Sequence, residues 1–172
     1  MTTQQLYLMN GVYLVALVVV AVLTRATARR IAGALAGGAV VGLVALGIIA
    51  LGERRGLWRV PLSWEPYFLS LLVIDFAVSC AFVYLLTWRV ARRFGWRGLA
   101  GCVAAAAGIG PIRDYRVAAW FPGWIEFGPG VAPVLAVAAT YVVMVVLGHG
   151  VMRLVAGPAR EDRLARRPWG AA

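Results

Sequence analysis

Residues 31–51 read IAGALAGGAVVGLVALGIIAL, twenty-one consecutive positions without a charged, amide or hydroxyl side chain. As a helix this run is about 31 Å long, the thickness of a bilayer's hydrocarbon core. A surface helix of a soluble protein alternates an apolar stripe with a polar face; this run has no polar face. Its glycines at 33, 37, 38 and 42 form two successive Gly-x-x-x-Gly spacings. They strip side chains from the helix surface, so that another helix can approach closely and gain dispersion contacts that lipid cannot supply. Packing within the same chain accounts for this pattern more simply than dimerisation.

Four more segments extend the same reading. Residues 6–24 are apolar, have no positive charge before them and are followed by Arg25, Arg29 and Arg30. A secretory signal would carry its charge in front, so this segment reads as a retained span. Residues 67–88 run between Tyr67 and Trp88, as an aromatic belt at both interfaces requires. Residues 99–120 pass through Cys102 and four successive alanines to Gly108-Ile109-Gly110-Pro111, where a kink or interruption is expected. Residues 131–155 form the fifth run, with Pro133 in the first turn, where its missing N–H is tolerated. The expectation is an all-α integral membrane bundle of five helices in one domain, residues 1–157, followed by a basic tail, 158–172. Composition agrees. The chain of 172 residues is 62% hydrophobic and 14% charged, whereas soluble domains carry about 25% charged residues.

Every basic side chain is arginine; lysine is absent. With the abundance of alanine, glycine and valine, this points to a bacterial source and hence to the cytoplasmic membrane. The net charge of +10 belongs to topology rather than to nucleic acid, because no basic stripe alternates with stacking aromatics. With the N-terminus outside and the C-terminus inside, twelve arginines fall on the cytoplasmic side and five (Arg54, Arg55, Arg59, Arg113, Arg116) on the other. Five acids, Glu53, Glu65, Asp75, Asp114 and Glu126, lie in the outer half, against Glu161 and Asp162 inside. The bias satisfies the positive-inside rule over short loops.

The polar residues that need explaining therefore gather in the outer half. Asp75 lies about 12 Å below the outer boundary, where an ionised carboxylate costs several kcal/mol unless paired, hydrated or protonated. Arg113, about 9 Å below the same boundary, is its expected partner, and Arg116 is the second choice. Two outer loops share a composition: residues 58–66, with Trp58, Trp64 and Glu65, and residues 120–127, with Trp120, Trp124 and Glu126. Tryptophan beside proline suits an interfacial girdle or a roof over a cavity. Candidate ligand-binding residues are thus Asp75, Arg113, Arg116, Trp64, Glu65, Trp120, Trp124 and Glu126. If the protein were catalytic, Asp75, Asp114 and Glu126 would be its acids and bases.

The inventory excludes much chemistry. One histidine, His149, and two separated cysteines, Cys80 and Cys102, cannot build a bis-histidine haem site or a zinc site with such ligands. Without lysine there is no phosphate-loop lysine and no Schiff base. No metal and no cofactor is expected. Length, five spans and seven tryptophans resemble the tryptophan-rich sensory or translocator proteins in gross features only. Their proline- and tryptophan-rich first loop is replaced here by Arg25-Ala26-Thr27-Ala28-Arg29-Arg30, so none of their ligand contacts carries over.

The leading expectation is a non-catalytic binding module, or a subunit of a membrane assembly, with an outer vestibule beneath the two loops. Its partners would be the lipid bilayer, a hydrophobic or lipid ligand, or other membrane subunits. Two alternatives stand beside it: a small enzyme acting on a lipid or hydrophobic substrate with Asp75, Asp114 or Glu126 and Arg113 or Arg116, and a small transporter with Asp75 in its path. The topology is directly testable. Reporters fused at the C-terminus and inserted within residues 92–97 should both be cytoplasmic, and an external C-terminus would overturn the charge argument.

Overall fold

The computed structural model describes residues 3–61, 63 and 65–158. Five helices follow one another: α1 (Thr3–Thr24), α2 (Ala28–Arg54), α3 (Pro66–Phe94), α4 (Trp96–Trp120) and α5 (Ala132–Ala156). Two short strands, β1 (Trp58–Arg59) and β2 (Glu126–Phe127), lie in the loops between α2 and α3 and between α4 and α5. Four helices, α1, α2, α3 and α5, are long and apolar enough to cross a membrane. The chain is an all-α membrane bundle. Each helix encloses most or all of the apolar run expected for it, and the expected tail falls largely outside the described residues.

α4 differs in kind. At 25 residues it is as long as α5, but it carries Arg97, Arg113, Asp114 and Arg116. It starts directly after α3 at Gly95, which serves both helices as a cap with φ 64°. That left-handed conformation suits glycine, and a one-residue reversal forces α4 to run back along α3. Of the kink or interruption expected near Pro111, the interruption does not occur: α4 is helical throughout Trp96–Trp120 with Pro111 inside it. Pro111 and Gly110 are buried, and a Cβ at Gly110 would run into the ring of Tyr141 on α5. One lost backbone bond is thus offset by packing along a neighbour, as membrane helices allow.

The glycines of α2 divide between two partners. A Cβ at Gly33 would sit 3.1 Å from the Met152 carbonyl oxygen and the Ala156 Cβ, and one at Gly37 would sit 2.5 Å from the Gly148 carbonyl oxygen. All three neighbours belong to α5. On the other side, a Cβ at Gly38 would meet the Ala77 backbone, and one at Gly42 would lie 2.9 Å from the Phe76 Cβ, both on α3. The two spacings seen in the sequence are therefore two faces, and α2 sits between α3 and α5. Tyr84 joins those outer helices: its hydroxyl donates to the Met144 carbonyl at 3.0 Å, and its ring covers Gly148. Around this contact lies the inner core, including Leu17, Ala34, Val41, Ala81, Leu85, Trp88 and Met152.

α1 packs on α3. Leu6 meets Phe68 and Leu72 in a small outer core, and the Tyr7 and Tyr67 hydroxyls hydrogen-bond to each other. Leu8, Val12, Val15, Val18 and Val22 remain exposed, as lipid-facing positions should. At the arginine-rich end Arg30 is fully buried. It donates to the Gly157 and Ala156 carbonyls at 3.0 and 3.2 Å, with its guanidinium 5.2 Å from the centre of the Trp88 ring. A cation satisfying the last carbonyls of α5 suits both their unfilled lone pairs and the helix dipole.

The glycine faces generate the first structural prediction. Gly38→Leu should destabilise the purified protein by about 1–3 kcal/mol or more, because backbone cannot move aside as a flexible side chain can. Gly47→Leu is the control, since nothing lies within 4 Å of a Cβ there. Equal melting temperatures for the two variants in mild detergent would contradict the packing.

Candidate functional site

The outer loops meet each other. β1 and β2 pair antiparallel, Trp58 opposite Phe127 and Arg59 opposite Glu126, and the Gly128 N–H donates to the Leu57 carbonyl at 2.9 Å. The Trp58 indole folds onto Gly52 and donates to the Ile49 carbonyl at 3.1 Å. Glu53 accepts from the Val60 N–H at 2.8 Å. Phe127 stacks on Tyr115 of α4, with ring centres 4.1 Å apart and planes within 6°. The shared composition of the two loops thus corresponds to a joint, which ties the outer ends of α2, α4 and α5.

Below this joint lies a layer of polar side chains. The Arg113 Nη1 donates to the Tyr141 hydroxyl at 2.9 Å. That hydroxyl donates in turn to Asp114 Oδ1 at 2.9 Å, and Arg113 and Asp114 form an ion pair at 3.8 Å. The tyrosine therefore bridges a cation and an anion of α4 from its place on α5. Tyr13 of α1 lies within electrostatic range of Asp75 and Cys80 of α3 and of both members of this α4 pair, and Arg113 lies within range of Asp75 and Cys80.

The expected contact between Asp75 and Arg113 does not form. Arg113 acts on Asp75 only through its field, with its Nη1 turned to Tyr141; the second choice, Arg116, is exposed one turn higher. The packing brings the two within electrostatic range, but the rotation of α4 turns Arg113 to Tyr141. Arg113 and Asp114 share one turn of α4, and Tyr141 faces that turn across the Gly110 contact, so the nearer partners win. Asp75 is left 7% exposed, with its Oδ1 buried and lacking a hydrogen-bond partner among the described residues. On α1, Asn10 shows the same condition: its amide nitrogen donates to the Leu6 carbonyl at 3.0 Å, while its Oδ1 is buried without a partner.

The remaining candidates scatter around this layer. Glu65 is exposed at the start of α3, and Glu126 is exposed on β2 opposite Arg59. Trp120 is exposed at the end of α4, and Trp124 stacks on Phe121 with ring centres 4.6 Å apart. Trp64 lies outside the described residues. His149 is buried in α5 with its Nδ1 unpartnered among them. Among the described residues no cluster of three metal-ligating side chains occurs. Tyr141, Tyr13 and Asn10 did not emerge from the sequence. Their signal was present, because a hydroxyl or amide placed well inside an apolar run must find a partner or a function.

Comparison with protein-family models, curated proteins and solved structures gives no match. The chemistry of the polar layer must therefore be read from its own residues. It holds two acids, Asp75 and Asp114, and one cation, Arg113. With all three ionised it carries one uncompensated negative charge in a medium that penalises one.

The bridge can be tested apart from any function. Tyr141→Phe removes both hydrogen bonds and nothing of the packing surface, so it should cost about 0.6–2 kcal/mol, the range for such bonds between membrane helices. Thermal unfolding in mild detergent measures this, and an unchanged melting temperature would show that the hydroxyl holds neither partner.

Proposed function

We propose that this protein is a non-catalytic membrane binding module, placed in the cytoplasmic membrane of a bacterium, that holds a cationic or hydrogen-bond-donating amphiphile in its outer half. One observation carries the reading: the buried Asp75 oxygen without a hydrogen-bond partner among the described residues, beside an Arg113–Tyr141–Asp114 group bonded within itself. A carboxylate in this position gains most from a donor brought in by a ligand, and an ammonium or guanidinium head would also neutralise the layer's excess charge. Tyr13 of α1, within electrostatic range of Asp75, adds a polar group to the site, while the surrounding apolar helices suit an acyl chain. A lysine or arginine from another membrane subunit would meet the same chemical requirement. An enzymatic reading receives less support, because Asp114 is engaged by Tyr141 and Arg113, and Glu126 sits on the exposed strand pair.

The arginine-only basic inventory supports the bacterial placement, and the charge bias supports the outside position of the site. Long-chain alkylamines, added to the purified chain below the concentration at which they form micelles, provide the test. An amine at about a hundred times its dissociation constant adds about 2.7 kcal/mol, which for a chain of this size raises the melting temperature by about 5–10 °C. Alkyl sulfates and neutral alkyl glucosides of equal length should give no such shift, and Asp75→Asn should abolish the response to amines while remaining folded. A shift of equal size in Asp75→Asn, or with every head group, would overturn the reading.

A further inference from the structure

The inner end of α3 presents a second set of charges that the outer site does not use. Residues 88–97 read WRVARRFGWR. Arg89 and Arg93 are four residues apart and Arg92 is three from Arg89, so all three share one side of the last turns of the helix. Together with Val90 and Phe94 they line an open-sided cleft of about 390 Å³. Counted along the helix from Tyr67, Arg92 lies about 37 Å inward, past a hydrocarbon core of about 30 Å and among the lipid head groups.

Three like charges in adjacent turns repel one another unless an anion lies between them. The described residues offer none there: Glu53, Glu65, Asp75, Asp114 and Glu126 all belong to the outer half. The dipole at the C-terminus of α3 attracts cations in general, but it does not account for Arg92. Its Nη1 is shielded from solvent and has no hydrogen-bond partner among the described residues. The end of the helix is capped instead by the Gly95 N–H, which bonds to the Ala91 carbonyl at 2.8 Å. A buried guanidinium donor without an acceptor is costly. Around the cleft, Phe94 and Trp96 are exposed, with Arg93 over the former ring at 5.3 Å and Arg97 over the latter at 5.9 Å. Aromatic rings at this depth sit where head groups meet acyl chains.

We propose that Arg89, Arg92 and Arg93 form a binding site for a phosphate group, supplied by an anionic phospholipid of the inner leaflet. Guanidinium groups match phosphate oxygens with paired donors, and basic pockets on the cytoplasmic side of membrane helices suit such head groups. Arg92 supplies the buried donor, while Arg93 closes on the phosphate from the same turn and Arg89 from the turn before. The site is independent of Asp75 and lies at the opposite end of the bundle.

Thermal unfolding of the full chain in mild detergent tests this, with phosphatidylglycerol, phosphatidylcholine or inorganic phosphate added in parallel. Phosphatidylglycerol should raise the melting temperature and phosphatidylcholine should not. A rise with inorganic phosphate as large as with the lipid would support the phosphate site and assign its source to the free ion. Arg92→Gln should weaken the response to phosphatidylglycerol about 10- to 100-fold, as loss of a charge-assisted hydrogen bond implies. Arg93→Gln, at an exposed position that leaves folding intact, should weaken it as well. Arg97→Gln removes the same charge outside the cleft and should leave the response unchanged. Equal stabilisation by both lipids, or an equal loss in Arg97→Gln and Arg93→Gln, would reduce the arginines to general surface charge and overturn the proposal.

Discussion

The close approach of α2 to α3 and α5 is the constraint on which the other positions depend. Between helices in lipid the hydrophobic effect offers no net drive, so contact must come from proximity. Gly37 against Gly148 and Gly38 against Ala77 bring backbone to backbone on two sides of one helix. Once α2 holds α3 and α5 at that spacing, Tyr84 can reach from α3 to the Met144 carbonyl of α5. The one-residue reversal at Gly95 then lays α4 beside α3, and Gly110 lets it close on Tyr141 of α5. The polar layer is a consequence of this sequence of contacts.

That layer explains why α4 is the least apolar of the five helices. A membrane helix carrying Arg113 and Asp114 is tolerable only where those groups meet partners, because their side chains stay 56% and 26% exposed along the helix surface. Tyr141 provides this with a single hydroxyl that accepts from the arginine and donates to the aspartate. The arrangement satisfies the α4 pair locally and leaves Asp75 with Arg113's field but not its hydrogen bonds. An acid kept in that condition gains little for the fold, which is why it carries the functional reading.

The two ends of the bundle are held by different means. At the loop end, a short strand pair and the stack of Tyr115 on Phe127 join the loops, with Trp58 closing over Gly52. At the arginine-rich end, Arg30 fastens the start of α2 to the last carbonyls of α5 and rests on Trp88. Of the arginines at that end, Arg30 is thus a structural tie, whereas Arg92 has a buried donor unmatched among the described residues. The positive-inside bias treats them alike; their surroundings separate them.

The sequence by itself determined the membrane class, the five helices and the layer in which polar groups would fall. Each follows from one-dimensional quantities: the length of an apolar run against bilayer thickness, and the count of residues from a boundary. It also showed that the glycines of α2 were packing surfaces. What it left open was direction around each helix axis. A difference of one residue turns a side chain by about 100°, so equal depth made Asp75 and Arg113 plausible partners without deciding that they face each other. Only the tertiary structure decided that Gly33 and Gly37 face α5 while Gly38 and Gly42 face α3, that α4 continues through Pro111, and that Arg113 turns to Tyr141 and Asp114. Those outcomes depend on which helices touch and at what rotation, and that is a property of all five packed together.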